Sequence, residues 1–290
     1  MQPDHQYKRF GLILILGLLL LLPAGGDAAG EKAAPRPPQG EQPTAAITPR
    51  GEKVAVDGQG RAIYQVKANS IKIGYKLAGA GAPLVLIPGL GNNMEVWPPP
   101  LLEALSRKYQ LIILDNRGMG YSTANDAPFT YRLFAEDVIS LLDILGVNQA
   151  DVLGFSMGST ITQKLLLDYP QRFHKAVIYA TTTDGGKLVA PLKGKKADNP
   201  IIQRQIEATA QWRTPLDKLP LITQQVLLVV GTNDTVVGPA GSKTLATLIP
   251  GAWLAQFKNG THSLMREAPG EFTKIVLAFL EINETVDRPH

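Results

Sequence analysis

Cysteine is absent from this 290-residue chain. That excludes disulfide scaffolds, thiolate zinc sites, iron–sulfur clusters, cysteine nucleophiles and lipid attachment through a thiol. Histidine is scarce, with four residues far apart, too few and too scattered for an imidazole metal site. No block of five like charges occurs. The 29 basic and 25 acidic residues are interspersed to a net charge of +4, so no basic arm marks the chain for nucleic acid. Nor does any apolar run reach the roughly 20 residues of a membrane-spanning helix. The longest is the thirteen residues from Phe10 to Leu22, FGLILILGLLLLL. What is present is ample core material: 44% of residues are hydrophobic and 19% charged, which rules out a wholly disordered chain.

The apolar run follows Lys8 and Arg9 and precedes the small-residue tail PAGGDAAG, an arrangement expected of a signal peptide over residues 1–28 with cleavage near Ala28. Export to the periplasm or beyond is the corresponding expectation; an uncleaved segment would instead anchor the protein in the membrane. Residues 29–50 hold five prolines and no apolar periodicity, and read as a linker. The remainder, 51–290, is the size of one α/β domain.

From Lys53 to Leu77, KVAV, AIYQV and IKIGYKL read as antiparallel lead-in strands separated by turn residues. After Pro83 the rhythm changes. The runs LVLIP, QLIIL, ADVLGF, KAVIYA, VLLVV and AWLAQF alternate with segments of helical period, such as Leu133, Phe134, Val138, Leu141, Leu142 and Leu145, or Phe272, Ile275, Val276, Phe279 and Ile282. Strands apolar on both sides must be covered on both faces, so the expected fold is α/β, a mostly parallel sheet between helices. Ligands of such sheets sit beyond the carboxyl ends of the strands, which makes the residues just after each apolar run the informative ones.

After ADVLGF, Ser156 lies in Gly154-Phe155-Ser156-Met157-Gly158, a G-x-S-x-G between strand and helix that places a serine hydroxyl on a sharp turn. A hydroxyl nucleophile needs a base. His5 falls in the leader, His290 is the last residue and His174 enters its strand at the wrong end, which leaves His262, after AWLAQFK. The base needs an orienting carboxylate. Asp234, after VLLVV, completes Ser…Asp…His, the chain order of one hydrolase architecture, and is preferred over Asp184, after KAVIYATTT, because it follows the strand just before the one that presents His262. An oxyanion needs two backbone donors. The N–H of Met157, at a helix start, is one, and the N–H of Leu90, in the turn Ile87-Pro88-Gly89-Leu90-Gly91-Asn92, is the other.

Together these segments resemble the α/β-hydrolase superfamily, over about Ser70 to Ile282. The motifs agree in order: PGLGNN followed by Trp97, Asp115-Asn116-Arg117-Gly118-Met119-Gly120-Tyr121-Ser122, GFSMG, GTND, and His262 with Glu267 and Pro269 in H-x-x-x-x-E-x-P. The resemblance implies a structural role for Asp115 and Arg117, a substrate pocket bordered by Trp97, and a serine hydrolase acting on a small acyl substrate, an ester by default. Two departures stand out. Relatives often have histidine at the position of Pro88, and they carry a longer helical cap than the segment at about 185–200 provides here. That segment, rich in glycine and lysine, is expected to be a loop beside an open cleft, and Ile201 to Trp212 an ordinary helix before the next strand.

C–C bond or lactone hydrolysis, perhydrolysis and acyl transfer use similar triads, and a non-catalytic binding protein of the same fold is the reading from another class. Dehalogenase and epoxide hydrolase chemistry, which use an aspartate nucleophile in this superfamily, are disfavoured by Ser156. No cofactor or metal is implied, since no G-x-G-x-x-G opens a first βα unit. Lys187, Lys193, Lys195 and Lys196 could touch acidic lipid headgroups, although a solvated loop is the simpler reading. Mass spectrometry of the extracytoplasmic fraction tests the leader: a chain beginning near residue 29 is expected, whereas an intact N-terminus in the membrane pellet would mean an anchor.

Overall fold

A computed structural model describes residues 46–282 other than 193 and 195, together with Ile13 and Leu14. Most of the expected signal peptide, and the linker up to residue 45, lie outside the described residues. Among the described residues no helix is long and apolar enough to cross a membrane. The last residues assigned to the linker belong to the domain. Ile47 exchanges two hydrogen bonds with the Gln110 side chain, and both the N–H and the C=O of Arg50 bond the Tyr75 hydroxyl. Composition alone did not reveal this, because the pairing partners lie far along the chain.

One sheet organises the molecule. Its strands are β1 (Ile13–Leu14), β2 (Glu52–Val56), β3 (Ala62–Ala68), β4 (Ile71–Ala78), β5 (Ala82–Ile87), β6 (Tyr109–Leu114), β7 (Ala150–Phe155), β8 (Phe173–Tyr179), β9 (Gln225–Gly231) and β10 (Trp253–Phe257), in the order β1-β10-β9-β8-β7-β5-β6-β4-β3-β2. The run from β10 to β6 is parallel; β2, β3 and β4 are the antiparallel lead-in, and β1 pairs antiparallel with β10. β5 is flanked by β6 on one side and β7 on the other, so the winding reverses there and a crevice opens at the carboxyl ends of β5 and β7.

The helices are α1 (Pro99–Ser106), α2 (Tyr131–Ile144), α3 (Met157–Asp168), α4 (Gly185–Val189), α5 (Pro200–Gln211), α6 (Ala240–Leu248), α7 (Leu264–Glu267) and α8 (Pro269–Glu281). Residues along each central strand alternate between two cores, as the two-residue period of a strand demands. Val85, Ile87 and Val152 face the core that takes Phe134, Ile161, Leu165 and Leu245 from α2, α3 and α6. Leu84, Leu86 and Leu153 face the other, which takes Leu101, Leu105, Phe272 and Phe279 from α1 and α8.

The loop after β6 is built residue by residue. Asp115 accepts the N–H of Met94 at 2.6 Å and that of Tyr121 at 2.7 Å, while the Ser122 hydroxyl donates to the Asp115 carbonyl at 2.7 Å. Gly120 is required because a Cβ there would lie 2.2 Å from the Asp115 carboxylate. Burial dominates at Asp115 and pushes its carboxyl up to about 6, against the pull of those two N–H donors. Arg117 is buried and forks onto Asp137, with Nε to Oδ2 at 2.7 Å and a terminal nitrogen to Oδ1 at 2.5 Å. Both residues are architectural, as the resemblance implied.

The segment between β8 and β9 departs from expectation. Residues 185–189 are helical, not loop, because the Asp184 carboxylate accepts the Lys187 N–H and caps α4. α5 is not an ordinary helix under the sheet. Its Ile201 packs where a Cβ on Gly118 would lie 2.7 Å away, and its Ile202 where one on Gly91 would lie 3.5 Å away, so α5 covers the loops at the carboxyl ends of β5 and β6. Helical period reveals which face of a helix is apolar but not which layer that face covers.

At the opposite end of the sheet, Asp151 in β7 is buried and accepts the Lys175 N–H at 3.0 Å. Burial pushes its carboxyl from the ordinary 3.8 up to about 7, with the Lys175 N–H and ammonium opposing. A carboxyl raised on folding stabilises the protein most below its unfolded value, and that contribution is lost as pH rises through the folded value. Urea unfolding is therefore expected to show wild type losing about 2–4 kcal/mol from this group between pH 4 and pH 8. Asp151→Asn, which keeps the oxygen facing Lys175, should flatten that slope.

Candidate active site

Ser156 joins β7 to α3 with φ 53° and ψ −117°, a conformation that an L-residue adopts only under compulsion from its surroundings. The compulsion is visible. The Ser156 N–H donates to the Tyr179 carbonyl on β8 at 2.9 Å, and the Ser156 carbonyl accepts from the N–H of Ser159, also at 2.9 Å. The two flanking glycines let the turn close. A Cβ on Gly158 would sit 2.1 Å from the Ile87 carbonyl oxygen, and one on Gly154 would sit 2.4 Å from the Gly158 carbonyl oxygen.

His262 and Asp234 arrive from two adjacent strands. After β9, the Asp234 N–H closes a turn onto the Gly231 carbonyl, and the Asn233 N–H reaches the Gly260 carbonyl of the loop after β10. Gly231 permits that approach, since a Cβ there would lie 2.1 Å from the Gly260 oxygen. The His262 loop is pinned at both ends. Glu267 accepts the N–H and hydroxyl of Thr261, while the Tyr179 hydroxyl donates to the His262 carbonyl at 2.7 Å. The imidazole lies beside the Phe155 ring, with centroids 5.1 Å apart, and Phe155 stacks in turn on Tyr179.

The outcome is a continuous hydrogen-bonded line. His262 Nε2 is 3.0 Å from Ser156 Oγ, and His262 Nδ1 is 2.8 Å from Asp234 Oδ2. The second oxygen of Asp234 accepts the N–H groups of Val236 and Val237 at 2.9 and 3.0 Å. Burial acts to raise the Asp234 carboxyl, but the bond and charge of His262 and the two N–H donors together hold it below the ordinary carboxylate value. The carboxylate is thus ionised at neutral pH and favours the Nδ1–H tautomer, which leaves the lone pair of Nε2 toward Ser156 Oγ. Ser156 is half-buried and the His262 side chain 19% exposed, so the line opens to solvent.

Asp184 is engaged elsewhere, capping α4 and pairing with Arg213 at 3.2 Å. His174 lies in β8, away from the strand's carboxyl end. Of the lysine cluster, Lys187 is 3.8 Å from Asp184, and 193 and 195 lie outside the described residues. Among the described residues no group of three or more His, Asp or Glu side chains is placed to hold a metal.

The turn Gly89–Asn92 runs beside the serine; a Cβ on Gly89 would be 3.1 Å from the Ser156 Cβ. Three successive carbonyls of this turn are held. Asn116 Nδ2 donates to Pro88 O at 2.9 Å, the Asn92 N–H to Gly89 O at 3.2 Å, and Asn92 Nδ2 to Leu90 O at 3.0 Å. In a trans peptide the N–H points opposite the carbonyl, so the Leu90 N–H is turned out of the β-turn. Neither it nor the Met157 N–H is taken by a protein acceptor among the described residues. Pro88 brings no side-chain hydrogen bond to this turn, and its carbonyl is held by Asn116.

Trp97 does not line the cleft. It is 2% exposed and packs edge-on against Phe155, 6.4 Å between centroids, in the core under the α1–α8 face. A tryptophan close after a glycine turn reads as pocket, but here the chain has already turned inward. Its work is to back the Phe155 ring that supports His262. Phe155 and Tyr179 are the positioning residues that the sequence did not reveal, since aromatics inside strands look like core. Glu267 was visible only as part of a motif.

A mostly parallel sheet wound both ways about β5, with a serine on a strained strand–helix turn at the switch point, defines the α/β-hydrolase architecture. A family profile described as the alpha/beta hydrolase fold matches residues 82–198. The chain is 25% identical over 248 residues to a putative carbamate hydrolase RutD of Azorhizobium caulinodans, covering 71% of this chain and 93% of that protein. It is 24% identical to the serine hydrolase BPHL of Mus musculus over 265 residues, 80% of this chain and 91% of that one. The crystal structure of a hydrolase from Pseudomonas aeruginosa PA01 superposes with a TM-score of 0.66 at 25% identity, covering 76% of this chain and 98% of its own. The chain has the α/β-hydrolase fold, and its likeness to hydrolases over nine-tenths of their length supports hydrolase activity.

Gly158→Ala tests the steric account of the turn. The added methyl forces a shift of backbone against backbone, and the thermal midpoint should fall by roughly 2–10 °C. An unchanged midpoint would mean that the turn has slack.

Proposed function

We propose that the protein is an exported serine hydrolase that cleaves a carboxylic ester through an acyl-enzyme on Ser156. The observation that carries this reading is the line Ser156–His262–Asp234, with its 3.0 and 2.8 Å links, beside the N–H groups of Leu90 and Met157, which no protein acceptor takes among the described residues. Ser156 Oγ attacks the carbonyl carbon as His262 Nε2 takes its proton, and Asp234 stabilises the imidazolium that forms. The negative charge that develops on the carbonyl oxygen is met by the N–H groups of Leu90 and Met157, the latter at the positive end of α3. His262 then gives its proton to the departing alkoxide, which leaves as an alcohol. Water, activated by the same histidine, adds to the acyl carbon and releases the acid and the free serine. Esters are preferred to amides because an alkoxide asks less of the proton donor. Export rests on the composition of residues 1–28.

A fluorophosphonate should label wild type at Ser156, and Ser156→Ala should lose both labelling and nitrophenyl-ester turnover with its thermal midpoint kept. Asp234→Asn is expected to cut kcat about 10⁴-fold through loss of the tautomer, and Asp184→Asn to change it little. Turnover retained in Ser156→Ala would overturn the reading.

A further inference from the structure

Gln205, on α5, is fully buried, and its two amide atoms have opposite fates. Oε1 accepts the Gly91 N–H at 2.8 Å, while Nε2 has no partner among the described residues. The orientation is not interchangeable, because a flipped amide would set an NH₂ against an N–H. A buried donor left unpaired costs about 1–3 kcal/mol. A methionine or leucine of similar size would fit the same space and remove the orphaned Nε2, at the expense of the Gly91 N–H, so this glutamine sits at a position where its oxygen, not its bulk, is what matters. That oxygen completes the hold on the turn beside Ser156. The Leu90–Gly91 peptide is gripped at its carbonyl by Asn92 Nδ2 and at its N–H by Gln205 Oε1, so the plane that follows the Leu90 N–H cannot rotate.

We propose that Gln205 is a positioning residue for the oxyanion-binding turn, through which the cap helix α5 sets the direction of the Leu90 N–H. The inference rests on the reading of Ser156 as the acyl acceptor. Gly91 has φ +71°, a region that glycine enters freely, so without the glutamine this peptide is held only at its carbonyl, by Asn92 Nδ2. Gln205 touches no reacting atom; it acts through Gly91 alone. The remaining anchors of α5 keep the helix seated if the glutamine is lost. Arg204 donates to Asn125 O at 2.7 Å and lies over the Phe129 ring, and the Thr209 hydroxyl is 3.2 Å from that of Tyr131.

The test compares wild type, Gln205→Met and Gln205→Glu on nitrophenyl esters of two, four and eight acyl carbons, with active sites counted by fluorophosphonate. An oxyanion donor acts on the transition state alone. Gln205→Met exchanges the orphaned Nε2 for an unpaired Gly91 N–H, and should therefore lose about 10–100-fold in kcat with KM little changed, by the same factor for all three esters, and with a thermal midpoint close to that of wild type. Gln205→Glu restores an acceptor for Gly91 and should recover most of the loss. A loss that varies with acyl length, or that raises KM, would show Gln205 to shape the acyl pocket instead and would overturn the proposal, as would a Gln205→Met enzyme as fast as wild type. If wild type itself is not labelled at Ser156, the acyl-enzyme reading falls and takes this inference with it; if it is labelled and Gln205→Met reacts at the same rate, this inference alone falls.

Discussion

The backbone of Ser156 is the constraint on which the rest turns. A serine held at positive φ stores strain, and only neighbours that leave it no alternative can maintain it. β8 takes its N–H, α3 takes its carbonyl, and the Ile87 carbonyl of β5 passes so near Gly158 that no side chain fits between them. Each of these contacts depends on parallel strands in register, so the two hydrophobic cores that hold β5, β7 and β8 together are what keep the hydroxyl aimed out of the sheet. The apolar mass of the protein and its polar site are one mechanical system.

The same economy governs the imidazole. His262 is carried on a loop, the part of a structure most free to wander. It is restrained by an aromatic stack that begins at Trp97 in the core and passes through Phe155, by the Tyr179 hydroxyl, and by Glu267 at the loop's own base. His262 itself is thereby flanked by the uncharged Phe155 ring and Tyr179 hydroxyl, and its direct charged contact, Asp234, meets Nδ1 and leaves Nε2 to Ser156.

Much of this was legible in the sequence, for identifiable reasons. Strands apolar on both faces leave continuous runs, and the residues that close those runs are few, so Ser156, Asp234 and His262 could be picked out before any fold was known. The alternation of Leu84 and Val85 between cores needs no more than a two-residue period. What stayed hidden depends on partners remote in sequence. Gln205 shares the helix face of Ile201, Ile202 and Ala208, but nothing local to it mentions Gly91, the partner of its oxygen. Trp97 looked like a pocket wall because a motif fixes chain position, not the side to which a ring turns. α5 looked like one more layer of the sandwich because its period is the same above the sheet as beside it.

The excursion between β8 and β9 leaves and returns through a single gate. Thr214 N bonds Thr183 O, Gly185 N bonds Trp212 O, Asp184 bridges to Arg213, and Gln163 beneath them holds both Thr181 and Thr214. Seen from the sheet, the thirty or so residues above that gate begin and end at the same place. Lengthening such a closed loop costs little in chain entropy, because the cost grows only with the logarithm of its size. The strands below would not register whether the excursion held one helix or five. The fold therefore has a socket whose contents can vary in length without disturbing the strands, and the insert found here reaches back from that socket to the loops at the sheet's carboxyl end through α5.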